Sequence, residues 1–490
     1  MFKKYLLFLT LYLLDQIFEI IEVRKINPVL EKPMTEVQEL AKYVSVKNFE
    51  DLSQIACNHL KIRIIDSIAC AIGALHADSI HSIYTHIEDF GGNKLASLIG
   101  GGANAPDHAT FYNAALIRYL DFNDSYLAKG ETCHPSDNLA AIIAAGEYAH
   151  ATGKELLTAL AIAYQIQCRL SDEAPVRAKG FDHTVQGAYA VSAGVSKILR
   201  LNQEQIANAI AISGTCNLAL RVTRTGVLSN WKGLAYPNTA FIGLHAAFLA
   251  MRGISGPLEV FEGNKGFKSL AGSFQIDWMQ EDLERVTQTI IKKYNAEIHG
   301  QSALEGVLDL KAKYGFSADE IDHIDIKIFD VAYNIIGGGE EGDKVLVRTK
   351  EEADHSLRYM VAVALIDNQL LPAQYGLNRI VQEDVQNLLR KVHISTLDAY
   401  SKIFPTKMPC LIKVILKNGT FFVIEKEDYQ GFHTRPFSIK TITQKFEQLT
   451  NSFISVETQQ KIIEIITNLE FLHVKDLTNL FSDIKKGEKK

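Results

Sequence analysis

From Asn48 to Gly253, apolar residues return every three or four positions, the period of helices that bury one face. The stretches NFEDLSQIACNHLKIRIIDSIACAIGAL, GKELLTALAIAYQIQCRL and NQEQIANAIAIS carry this pattern, and their many alanines let helices approach closely, so a compact bundle is predicted. A further amphipathic start, TEVQELA, follows Met34. After Trp278 the period changes. EIDHIDIKIFDVAYNII alternates apolar and polar positions as a strand does, and MPCLIKVILKNGTFFVIEKE reads as a hairpin turning on Asn418-Gly419. Helical stretches, EADHSLRYMVAVALIDN and VQEDVQNLLRKV, lie between them, and the helical period resumes after Pro436. The predicted fold class is mainly α: a large all-helical domain plus a smaller α+β lid domain. Residues 34–288 supply the first part of the helical domain and residues 289–433 the lid. Residues 434–490 are C-terminal helices returning to the helical domain.

Residues 1–33 stand apart. Lys3 and Lys4 precede an apolar run, Tyr5 to Leu14, that imitates a signal peptide, but Asp15, Glu19 and Glu22 follow in place of a small-residue cleavage site. The run is well short of the roughly 20 residues a membrane helix needs. An extension outside the fold is expected, with no membrane role.

Composition narrows the class of function. The chain of 490 residues exceeds the size of a single core, and 47% hydrophobic with 22% charged residues describes a globular protein, expected in the cytoplasm. A net charge of −6 and a pI near 6.2 argue against a general nucleic-acid binder, so an anionic ligand would need a local cluster of cations. The six cysteines include no C-x-x-C pair, which leaves zinc ribbons and compact iron–sulfur runs without support and suits reduced thiols. IGGGEEGD, Gly337 to Gly342, matches G-x-G-x-x-G formally, but its glutamates would face a pyrophosphate and no helix opens behind it; a mobile surface loop is expected.

Candidate chemistry lies in four polar segments that break the helical pattern. LDFNDSYLAKGETCHPSDN offers Asp121, Ser125 and His134, with Ser136 expected to cap the next helix. APVRAKGFDHTVQGAYA places His183 at a helix start, where the dipole disfavours a charged imidazole. LRVTRTGVLSNWKGLAYPN holds Arg221, Arg224 and Lys232 ahead of a helix that Pro237 helps to open, and IIKKYNAEIHGQSA holds Lys292, Glu297 and His299. Imidazoles to move protons and cations to hold carboxylates suit proton abstraction next to a carboxylate followed by loss of a hydroxyl. A metal held by His134, His183 and Asp121 is the chemical rival, but no short ligand spacing supports it, and no metal is expected.

These motifs, with DHSLRYM, resemble the MmgE/PrpD family from about residue 35 to about 480. The resemblance implies a lyase with a large helical domain and a smaller α+β lid, typically a homodimer, that acts on a small tricarboxylate and needs no cofactor. It assigns catalysis to His134, His183, Asp121 and Lys232, and substrate binding to Ser125, Arg224, Lys292, His299 and, on a looser match, Tyr333. The YLAKG insertion and the NAEIH sequence are closer to the family's dehydratase branch. They point to 2-methylcitrate dehydratase, forming 2-methyl-cis-aconitate in propionate breakdown and acting also on citrate; alternatives are cis-aconitate decarboxylase, another lyase or epimerase of the family, and a non-catalytic helical binding protein.

Overall fold

The computed structural model describes residues 10, 12, 33–226 and 228–484, so the extension expected over residues 1–33 lies almost wholly outside the described residues. Helices α1 (Glu36–Val46), α2 (Gln54–Gly73), α3 (Asp78–Phe90) and α4 (Pro106–Tyr119) lead into a short hairpin, β1 (Tyr126–Leu127) and β2 (Thr132–Cys133). Helices α5 (Leu139–Tyr148), α6 (Gly153–Glu173), α7 (Thr184–Ile198), α8 (Gln203–Cys216) and α9 (Trp231–Met251) follow. Side chains fix where helices begin: Thr152 and Asn202 accept the backbone N–H groups of Glu155 and Gln205, whose own side chains reach back to the cap residues. By length and composition α9 could cross a membrane, but it packs on α4, α7 and α8 and buries Ala235, Tyr236, Ala240, Leu244 and Ala247.

The lid begins with α10 (Gln301–Tyr314) and continues through strand β3 (Ile321–Ile328), α11 (Leu357–Asp367), α12 (Glu383–Leu389), β4 (Val392–Thr396), β5 (Cys410–Leu416) and β6 (Phe421–Lys426). The sheet order is β4-β3-β5-β6, with β3 parallel to β4 and antiparallel to β5. Cys410, Ile412, Val414 and Leu416 alternate inward along β5 and join a core that includes Leu304 and Val307 of α10 and Met360 of α11. The expected hairpin is present, with Gly419 in the left-handed region at φ 83°.

Two large hydrophobic cores result among the described residues, beside a small cluster of Tyr126, Ala128, Cys133 and Cys168. One runs from Val37 to Ile291 and takes in Phe437, Ile442, Phe446 and Ile466, which belong to α13 (Ile439–Thr450), α14 (Val456–Thr467) and the segment before them. The other runs from Ile290 to Phe432. The returning C-terminal segment seats tightly: a Cβ on Gly153 would lie 1.7 Å from the Leu469 carbonyl oxygen, so only glycine fits where α6 begins.

Three local expectations are corrected. The alternation after Ile328 is not strand: Asp330–Ala332 and Tyr333–Gly337 are helical turns. The partner strand β4 ends at Thr396, so beyond Ile328 no ladder exists, and the Tyr333 N–H turns back to the Phe329 carbonyl. The expected helix VQEDVQNLLRKV stops at Leu389, because Val392 onward pairs with β3. Pro237 does not open a helix; it lies inside α9, which starts at Trp231. Its missing N–H falls in the second turn, where the carbonyl left without a donor belongs to Gly233, a residue with no side chain to crowd the ring.

Lys445 of α13 pins the returning segment to the rest of the chain. Its buried ammonium donates to the Phe122 carbonyl (2.8 Å) and the Lys292 carbonyl (3.0 Å), lies 2.6 Å from Asp66 of α2, and stands over the Phe122 ring. Replacing it, Lys445→Met, strands a buried Asp66 carboxylate and should cost about 3–5 kcal/mol in urea unfolding. Asp66→Asn in the same chain should return part of that loss, whereas a single-variant loss under about 1 kcal/mol would show the pair to be idle.

Candidate active site

Helix α4 ends at Tyr119, and Asp121 then takes the left-handed conformation, φ 51°, which few residues other than glycine adopt without strain. The strain is offset by charge. Asp121 Oδ1 accepts from Arg118 Nη1 at 2.6 Å and Lys292 Nζ at 2.7 Å, and Lys292 also donates to the Asp121 carbonyl. Lys232 Nζ lies 3.5 Å from Asp121 Oδ2. Burial alone would raise the Asp121 pKa, but Arg118, Lys292 and Lys232 overcome it and hold the carboxyl well below the ordinary range.

The polar groups after Asp121 are buried and each has a task. Asp124 accepts the Ser136 N–H (3.1 Å) and the Tyr164 hydroxyl (2.8 Å). Ser136 is therefore not a cap: it lies inside the turn Pro135–Asn138, and its hydroxyl accepts from Asn123. In this buried segment the Ser136 hydroxyl is engaged by the Asn123 amide and the Ser136 N–H by Asp124, so the serine does not serve as a cap. The isolated Ser125–Ile290 bridge brings the Lys292 segment alongside, so Lys292 does not open a lid strand; it follows a single antiparallel contact.

His134 Nδ1 lies 2.7 Å from the Asp124 carbonyl oxygen and 3.1 Å from Ser125 Oγ. A carbonyl only accepts, so Nδ1 carries the proton and Nε2 presents its lone pair. Burial, then Arg118 and Lys292, push the His134 pKa well below 6.5, and the ring is neutral. Its partner across the site is His183, edge to face at 5.3 Å between ring centres. His183 starts α7; burial, with Arg224 and Arg118 prevailing over the opposing Asp182, lowers its pKa to about 3. Its Nδ1 is 3.4 Å from Asp182 and makes no hydrogen bond among the described residues.

The remaining cations are committed to acids. Arg224 is paired through two nitrogens with Asp182 (2.7 and 3.3 Å) and donates to the Lys232 carbonyl. Lys232 donates to Asp354 at 2.9 Å and sits 2.9 Å from His355 Nδ1, and Lys350 takes the other Asp354 oxygen at 2.8 Å. Burial lowers the pKa of Lys232 despite Asp354 and Asp121, and that of His355 with help from Lys232. Asp121, Asp354 and His355 lie close enough to hold a cation, yet Arg118, Lys232, Lys292 and Lys350 already occupy these acids, and a divalent ion would have to displace them. A narrow opening lined by Arg118, Asp121, Asn230, Lys232, Gly233 and Lys350 leads to the cluster.

Of the residues singled out in the sequence, Asp121, Ser125, His134, His183, Lys232 and Lys292 converge here. Arg224 acts through Asp182. His299 stays in the lid core, its Nδ1 on Glu297 at 2.8 Å and its ring between Phe329 and Phe404. Burial would raise the Glu297 pKa, but His299, then His355 and Lys292, bring it down to about 2. Tyr333 packs its ring against Gly337 and Gly339 and makes no hydrogen bond to the cluster among the described residues. The expected surface loop is corrected at one residue: Glu340 and Gly342 are exposed, but Glu341 is buried and paired with Arg177 and Arg221, two arginines of the helical part that need an acid. Sequence reasoning missed Arg118, Asp354, His355 and Lys350; the i, i+3 pair Arg118–Asp121 and the polar run ADHS before α11 were the available signals.

The chain aligns with the 2-methylcitrate dehydratase of Escherichia coli (strain K12) at 25% identity over 94% of this chain and 99% of that protein. It aligns with the cis-aconitate decarboxylase of Mus musculus at 25% over 84% and 86%, and with the 2-methylcitrate dehydratase of Cupriavidus necator at 28% over 67% and 71%. The MmgE/PrpD N-terminal domain profile matches residues 38–277 and the MmgE/PrpD C-terminal domain profile residues 294–470. Two profiles that together span most of the chain, over a helical body with an α+β lid, establish that this protein belongs to the MmgE/PrpD family.

Proposed function

We propose that the protein is a hydro-lyase that removes water from 2-methylcitrate to give 2-methyl-cis-aconitate. The observation that carries this reading is His134: a neutral imidazole with its Nε2 lone pair free, facing His183 beside cations that Asp121 holds in place. In the proposed reaction His134 Nε2 takes the proton from the methyl-bearing carbon, next to a carboxylate. Lys232 and Lys292 stabilise the enediolate charge that develops. The C–O bond to the neighbouring carbon breaks, and the hydroxyl leaves as water with a proton from His183. Arrival of three substrate carboxylates raises the proton affinity of both imidazoles, which is how His183, neutral in the free protein, acquires the proton to give. The 2-methylcitrate dehydratases among the relatives support the substrate.

A second reading, decarboxylation of cis-aconitate, has support from the mouse relative, whose identity equals that of the bacterial dehydratase. The same lysines would hold the charge left when carbon dioxide departs. Incubation with 2-methylcitrate, citrate and cis-aconitate, read by mass spectrometry and by absorbance of the conjugated alkene, separates the two. Alkene from 2-methylcitrate is the expected result. Itaconate from cis-aconitate with no alkene from either citrate would overturn it in favour of the second reading.

Two predictions follow from the imidazoles. His134→Ala removes the base and should lower kcat about 10²–10⁴-fold with a small change in KM. An unchanged kcat would take His134 out of the reaction. For pH, a base whose pKa is depressed stays unprotonated as the pH falls, so the acid limb of kcat/KM should lie well below the ordinary histidine pKa of about 6.5. An inflection near 6.5 would contradict the buried, cation-flanked placement.

A further inference from the structure

We propose that Glu341 is the positioning residue through which the lid holds His183, an inference that rests on the proton-transfer role given to His183 above. Glu341 is 7% exposed, and its Oε1 accepts from Arg221 at 2.6 Å and from Arg177 at 3.1 Å. The two arginines lie in two turns of the helical part, Arg177–Lys179 and Arg221–Arg224. Those turns are joined by their backbones: Arg221 N–H donates to the Gly180 carbonyl, Asp182 N–H to the Ala219 carbonyl, and Phe181 bridges Leu220. Asp182 and His183 follow the first turn after Gly180 and Phe181, and Arg224 of the second turn grips Asp182. One lid carboxylate thus ties together the two turns that present His183.

The turn that delivers Glu341 is built for this. After Tyr333–Gly337 the chain folds back, with the Gly339 N–H on the Tyr333 carbonyl and the Glu341 N–H on the Asn334 carbonyl. Gly338 takes φ 106°, and a Cβ on Gly339 would come within 2.5 Å of the Asn334 side chain and 2.8 Å of its Cα. The sharp bend aims the acid into the helical part, and it also packs on the Tyr333 ring. A second acid, Glu131 on the β1–β2 hairpin that leads to His134, accepts the N–H groups of Val176 and Arg177, so the His183 turn is gripped from both sides. Without Glu341, Arg177 and Arg221 lose their shared counter-charge close to His183, and the lid loses its hold on the turn pair.

The test uses the full chain. Hydrogen–deuterium exchange in Glu341→Gln should rise about tenfold or more over residues 176–183 and 219–226, with α2 and β5 unchanged. Arg221→Gln, which removes the shorter contact, should loosen the same two segments, and serves if the first variant does not fold. On the substrate the wild type turns over, Glu341→Gln should lose about tenfold in kcat with KM within about threefold, and Glu341→Asp should recover part of it. Exchange within about twofold of wild type in both turns, or an equal loss spread over the whole chain, would overturn the proposal. A wild type that converts none of the tricarboxylates would sink the functional reading, while the exchange data would still decide whether Glu341 holds the turns.

Discussion

A single buried carboxylate, Asp121, holds the site together. It faces three cations, Arg118, Lys292 and Lys232, that arrive from α4, from the segment before the lid and from α9. A buried cation without a partner is costly, and three of them near one point would repel one another, so without Asp121 the cluster could not exist. The acid does not neutralise all three. Lys232 is shared with Asp354, and the cluster keeps the excess positive charge that a carboxylate substrate requires. Burial first, then Arg118 and Lys292, keep His134 deprotonated, while Asp121 alone would favour the charged ring. The cations gathered for binding thus add to what burial does in keeping the lone pair bare.

The fold serves this cluster by making distant segments meet. Asp121 and His134 sit on the excursion between α4 and α5, Lys292 at the crossing into the lid, Asp354 and His355 at the start of α11. Lys445, from the helix that returns after the lid, bonds the backbone beside Asp121 and at Lys292 together. The return of the C-terminus is thus part of how the lysine comes to face the aspartate, and the lid sends its own acids, Asp354 and Glu341, into the helical part.

Much of this was legible in the residues. Helical periodicity gave the bundle because those helices bury one face, and Asn418-Gly419 marked its hairpin because few other pairs fit the turn. Asp121, His134 and His183 stood out as polar groups breaking an apolar pattern. What was hidden depended on partners far along the chain. The short strand Val392–Thr396 exists because β3 runs beside it, and Pro237 is tolerated inside α9 where a surface rule would start a helix. Ser136 looked like a cap until Asp124 proved to hold its backbone. Arg118, Lys350 and Asp354 look like ordinary solvated charges at helix ends, and only tertiary contact turns them into a buried network.

The state of His134 tests the account most directly. Nitrogen-15 NMR of the histidine-labelled full chain, assigned with a His134→Gln variant, should show this ring neutral, protonated on Nδ1 and bare on Nε2, at pH 7 and still at about pH 6.5, where an ordinary histidine is half protonated. An imidazolium at pH 7, or a ring protonated on Nε2, would contradict the claim that burial beside Arg118 and Lys292 leaves a free base at the centre of the site.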